Sequence, residues 1–102
     1  MNYNELTDFE INKLVAIKWL PERQHDFIKE KNDRHEGMQV FHLGEVYDPC
    51  NNPSDAWPII LENEISIIPN GGNWAATNSI AWHDCDNPLR AAMIVYLMMG
   101  DE

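Results

Sequence analysis

Beyond residue 36 the chain has a single Lys or Arg, Arg90, against nine acids. Non-specific nucleic-acid binding neutralises phosphates with Lys and Arg, so this scarcity argues against direct binding of DNA or RNA. Cysteine is equally scarce, with only Cys50 and Cys85. Two are too few for a disulfide scaffold, and without a charged-then-apolar leader they read as reduced thiols in a cytoplasm. No apolar run reaches the roughly 20 residues a membrane-spanning helix needs. Gly71-Gly72 lacks the spacing and the following helix of a phosphate-cradling loop. There is no nucleophile elbow and no H-E-x-x-H pair.

What is present points to a folded unit. A chain of 102 residues, 44% apolar and with four tryptophans, is long enough for one domain spanning 1–102 with its own core. The formal charge is −10. Residues 1–36 are nearly balanced, with eight acids and six bases, so the excess sits in the remaining two thirds. Solubility accounts for such a surface; a basic partner is the sharper alternative.

The stretch Asn87-Pro88-Leu89-Arg90-Ala91-Ala92-Met93-Ile94-Val95-Tyr96-Leu97-Met98-Met99-Gly100 organises the rest. Asn87 is a helix cap, Pro88 suits the first helical position, and Gly100 is placed for a left-handed stop. Arg90 is the only charge between them. A helix apolar all round and too short for a bilayer belongs in the core. Near the other end, Thr7 and Glu10 form a capping box, with Leu6 and Ile11 placed as a hydrophobic staple. Ile11, Leu14, Val15 and Trp19 fall on one helical face, and Pro21 ends that helix.

Residues 22–36 read as a charged excursion, either solvated helical turns or a mobile loop, with His25 and His35 at the surface. Residues 38–47 alternate as one strand. Asp48-Pro49-Cys50-Asn51-Asn52-Pro53-Ser54-Asp55 is a loop of turn and cap residues leading to a short helix capped by Asn52 or Ser54. Pro58 requires that helix to start close by. Residues 64–68 and 74–83 read as two further strands around the Pro69-Asn70-Gly71-Gly72-Asn73 turn. The expected class is α+β, order α-β-α-β-β-α. A three-stranded, mainly antiparallel sheet packs with the N- and C-terminal helices.

Three stretches carry a family resemblance: Leu6-Thr7-Asp8-Phe9-Glu10-Ile11-Asn12, then Cys50-Asn51-Asn52 with Asp55-Ala56-Trp57-Pro58-Ile59-Ile60, then Asn87 to Val95. They resemble the NinX-like proteins, small proteins encoded by lambdoid and related phages. Trp57 departs from that pattern, standing where a glycine is expected before Pro-Ile-Ile. The resemblance implies a phage or prophage protein in the bacterial host cytoplasm and brings no catalytic residues with it.

The best candidate for function is the loop region, with Tyr47, Asp48, Cys50, Asn51, Asn52, Asp55 and Trp57 as binding residues, because polar side chains and aromatics on loops serve recognition. The same residues also suit a purely structural turn. The expected activity is non-enzymatic binding of a basic host or phage protein, with no cofactor. In its sharper form Glu45, Asp48, Asp55, Glu62, Glu64, Asp84 and Asp86 stand where DNA phosphates sit. The alternative is a small enzyme or metal-dependent factor centred on Cys50 and His83. It would use His42 or His83 as base, Asp48 to orient it, or Cys85, Asp84 and Asp86 as further ligands. A homodimer through the closing helix is compatible with either.

Overall fold

The computed structural model describes residues 2–33 and 37–100. Helix α1 (Asp8–Trp19) begins as the sequence requires. Glu10 N–H donates to Thr7 Oγ1 at 3.2 Å, and Thr7 N–H donates to Glu10 Oε1 at 3.0 Å. These bonds hold the Glu10 carboxyl below its ordinary range. Ile11, Val15 and Ala16 are fully buried. Leu20 caps the helix, one residue before Pro21.

Helix α2 (Pro53–Glu62) is capped by Asn52, whose side chain accepts from Ser54 N–H. Pro58 lies in its second turn rather than its first, with the helix continuing through it. The helix ends in a Schellman arrangement: Ile65 N–H donates to Ile60 C=O at 3.0 Å and Glu64 N–H to Leu61 C=O at 3.3 Å. That geometry needs a left-handed residue at the first position past the cap, and Glu64 supplies it at φ 52.

Helix α3 (Pro88–Met98) is the interior post. Ala91 through Leu97 are all buried within the chain itself. It packs against α1 and α2 and against the second sheet described below. Lys18 from α1 donates to Tyr96 C=O, satisfying a carbonyl at the C-terminal end of α3 where a cation is favoured. Gly100 is not left-handed, contrary to expectation; the cap is Met99 in a right-handed conformation. A side chain at Gly100 would instead meet Lys18 Nζ at 3.2 Å.

The α+β class is observed, with more strands than the three expected. The described residues form two antiparallel three-stranded sheets. The first comprises β1 (Ile28–Asp33), β2 (Gly37–His42) and β3 (Glu45–Val46), in that order. The second comprises β4 (Ser66–Asn70), β5 (Asn73–Thr77) and β6 (Trp82–Cys85), in that order. Residues 38–47 are therefore a hairpin and not one strand. It turns at Leu43-Gly44, both at positive φ (54 and 83), the backbone a two-residue hairpin turn requires. Residues 74–83 likewise split, because Asn78 accepts from the N–H groups of Ile80 and Ala81 and folds the chain back. Trp74 and Trp82 consequently lie on opposite faces: Trp74 pairs with Cys85, and Trp82 with Thr77.

Much of the charged excursion is ordered. Residues Glu22–Phe27 form 3-10 turns and lead into β1, which pairs along its whole length with β2. A Lys13–Glu30 ion pair at 2.5 Å ties it to α1. His25 is half-buried, with Nε2 3.0 Å from Leu20 C=O. His35 lies outside the described residues. No helix among the described residues is long and apolar enough to cross a membrane.

Candidate functional site

Asp8 and Asn12 stand one turn apart on α1, so both side chains project from the same face. Among the described residues Asn12 is the one polar side chain buried with the core, at 5% exposure. Its amide nitrogen donates to Asp48 Oδ1 at 2.7 Å, and its oxygen accepts from Cys50 N–H at 3.0 Å. Every polar atom of the amide is thus spent on the loop between β3 and α2.

That loop is a tight turn around Pro49. Asn51 and Asn52 N–H groups both donate to Asp48 C=O, at 3.1 and 2.7 Å. Asn51 Nδ2 donates to both Asp48 carboxylate oxygens at 3.2 Å and to Asp8 Oδ2 at 3.1 Å. Asp55, in the first turn of α2, accepts from Asp48 N–H at 2.9 Å.

The third contribution comes from the start of α3. Asn87 Oδ1 accepts from Leu89 and Arg90 N–H, and its Nδ2 donates to Cys50 C=O at 2.8 Å and Asn51 Oδ1 at 3.0 Å. One side chain caps the helix and clasps the loop. Arg90 Nη1 pairs with Asp8 Oδ1 at 2.6 Å, and Nη2 donates to Leu6 C=O at 2.6 Å and Tyr3 C=O at 3.4 Å. Its side chain is only 15% exposed, and a buried guanidinium is tolerable only when paired and hydrogen-bonded in this way.

Of the sequence-derived candidates, the structure brings Asp48, Cys50, Asn51, Asn52 and Asp55 into this hub, where most of their polar atoms are internally engaged. Tyr47 is buried beside it, its hydroxyl without a hydrogen-bond partner among the described residues. Burial, with Asp55 and Tyr96 adding, pushes its pKa up. Trp57 is not part of it: it is 54% exposed on α2 and borders a separate groove with Leu61 and Ile67. Asp8, Asn12, Asn87 and Arg90 are not among the binding residues expected from the sequence, where Asn87 stands only as a helix cap and Arg90 only as a lone charge. The Asp8–Asn12 spacing of one helical turn was the available signal.

Cys50 is fully buried, and burial, with Asp8 adding, raises its thiol pKa well above the ordinary value despite Arg90. A nucleophilic thiol needs the opposite shift. His83, half-buried, is pushed below its ordinary pKa by burial and by Arg90, with Asp84 opposing. Its Nε2 is buried without a hydrogen-bond partner among the described residues. No group of three or more His, Cys, Asp and Glu side chains among the described residues is placed to hold a metal ion.

Beside the hub lies a cleft of about 680 Å³. Its lining includes Asp8, Asn12, Asp48 and Asn51 from the hub, and Phe9, Met38 and Val46 around it. Asp48 reaches the cleft with two amide donors and, among the described residues, no cation.

No curated protein and no solved structure matches the chain. The three stretches on which the family resemblance rests are the three that meet at the hub. The family model described as bacteriophage P22 NinX matches residues 2–100, nearly the whole chain, so the protein belongs to the phage NinX family.

Proposed function

We propose that this phage accessory protein is a non-enzymatic binding module for a basic host or phage protein, engaged through its acidic surface in the bacterial cytoplasm. The observation that carries this reading is the fate of Arg90. It is the only Lys or Arg beyond residue 36, and its guanidinium is turned inward onto Asp8, Leu6 and Tyr3. The negative charge of the last two thirds is therefore left without a surface cation of its own, and a complementary partner supplies the balance. Imitation of DNA phosphates is the narrower form of the same reading. It draws chiefly on Glu45, Glu62, Glu64 and Asp86, because Asp48, Asp55 and Asp84 have carboxylates committed to neighbouring amides.

The test is affinity capture from infected host cells at low and high salt, with duplex DNA as competitor. Capture of a basic protein that is lost as salt rises to about 0.5 M, where screening falls to a few ångströms, supports the reading. A partner held equally at both salt levels overturns it. Displacement by DNA supports the phosphate-imitation form, and indifference to DNA removes that form alone.

A further inference from the structure

The cleft contains an unfinished sheet edge, and this inference rests on the acidic-surface reading above while naming where the partner docks. β2 runs from Gly37 to His42, but β3 covers only its far end, with Phe41 opposite Val46 and His42 opposite Glu45. One further ladder bond forms, Tyr47 N–H to Val40 C=O at 2.8 Å. The chain then turns away at Asp48-Pro49. In an antiparallel ladder alternate residues direct N–H and C=O to the same side. Met38 therefore presents both backbone groups on the side of the Val40 carbonyl, past the end of β3, where no further strand pairs among the described residues. That open edge borders the cleft, together with Asp8 and Asp48. Open edges take up extended segments, whose backbone supplies affinity and whose side chains supply specificity.

We propose that an extended basic segment of the partner adds to the edge of β2 at residues 37–40 and lays a Lys or Arg side chain against Asp8 and Asp48. The charge argument is local. Asp8 already has Arg90, but Asp48 has only amide donors, so a cation entering the cleft meets an unbalanced carboxylate. Phe9, Met38 and Val46 offer apolar contact to the aliphatic stem of such a side chain.

The probe is an acetylated, amidated heptapeptide of alternating valine and lysine, titrated into the 15N-labelled protein at low salt. Amide shifts at Met38, Val40 and Asp48 are expected. Binding should fall by about tenfold or more for the same peptide N-methylated at every residue, which has no residue N–H left to offer a ladder on either edge. Val46→Lys, at an exposed edge position, should weaken binding by a similar factor without altering the melting curve. Shifts confined to other acidic positions such as Glu62 and Glu64 overturn this inference and leave the acidic-surface reading standing. Undiminished binding of the N-methylated peptide does the same. If no shift appears anywhere by about 1 mM peptide, where even weak association saturates halfway, the edge is not a docking site; salt-insensitive capture would then remove the broader reading independently.

Discussion

Replacing Asn12 by Ala is the sharpest test of the hub. The substitution removes two bonds at once. Cys50 N–H, buried, loses its acceptor, and leaving a buried donor unmet costs about 1–3 kcal/mol. Asp48 loses a charge-assisted donor, worth about 1.5–3 kcal/mol where the acceptor is ionised. Asp48 is half-buried and keeps Asn51, so the lower end applies to that part. The expected loss is about 3 kcal/mol, a large share of the roughly 5–15 kcal/mol available to a domain of this size. With a shift of about 4–8 °C per kcal/mol, the melting temperature should drop by roughly 12–24 °C. Urea unfolding followed by tryptophan fluorescence measures the free energy directly, and an unchanged m-value confirms that the native fold is the reference. Asn12→Asp sharpens the test, because it keeps the acceptor for Cys50 but faces Asp48 with a second carboxylate. It should be more damaging at pH 8 than at pH 5. A loss below about 1 kcal/mol for the alanine variant, the scale of an ordinary surface change, would refute the hub as the element that joins α1, the loop and α3.

Three further outcomes follow from the same geometry. Tyr47→Phe removes a buried hydroxyl that has no partner among the described residues, so it should leave stability within about 0.5 kcal/mol or raise it, and a loss above about 1.5 kcal/mol by denaturant titration would show an unseen bond. Glu64→Gly should stabilise by about 0.5–1 kcal/mol, since a left-handed non-glycine residue costs about 1–2 kcal/mol and glycine returns part of that as unfolded-state entropy; thermal melting reads the sign. His83 has a folded pKa below its unfolded value near 6.5, so the folded state favours the neutral ring. Its contribution is fully present above pH 6.5 and fades as pH falls below that; His83→Gln should flatten the stability profile between about pH 7 and pH 5, and an unchanged slope would count against it.

The helices were legible because their signals are local. Thr7 with Glu10, Asn52 before Pro53, and Asn87 before Pro88 each announce a start within a few residues, and the apolar run after Arg90 leaves nowhere but the interior. The strands were less so. Alternation carries on through Leu43-Gly44 and through residues 78–81, so a hairpin and a single strand look alike until the turn geometry is known. β1 was hidden for a different reason: Lys29, Glu30 and Lys31 are exposed on a sheet edge, and a strand wet on both faces leaves no apolar period. The loop at residues 48–55 was recognisable as cap and turn chemistry. That its Asn51 side chain joins Asp8 to Asn87, segments nearly eighty residues apart, depends on tertiary approach, which no local pattern encodes.

Arg90 also governs when this protein can become itself during synthesis. Its guanidinium gathers carbonyls and a carboxylate from residues 3–8, separated from it by more than eighty positions. A nascent chain still lacking that guanidinium has an amino-terminal helix that Asn12 and Lys13 can hold but whose start is untied, and a central post not yet made. Closure is therefore a late event, reached only after translation has passed the last helix. Until then the greasy faces of α1 and α2 stand open to whatever the host's chaperones offer.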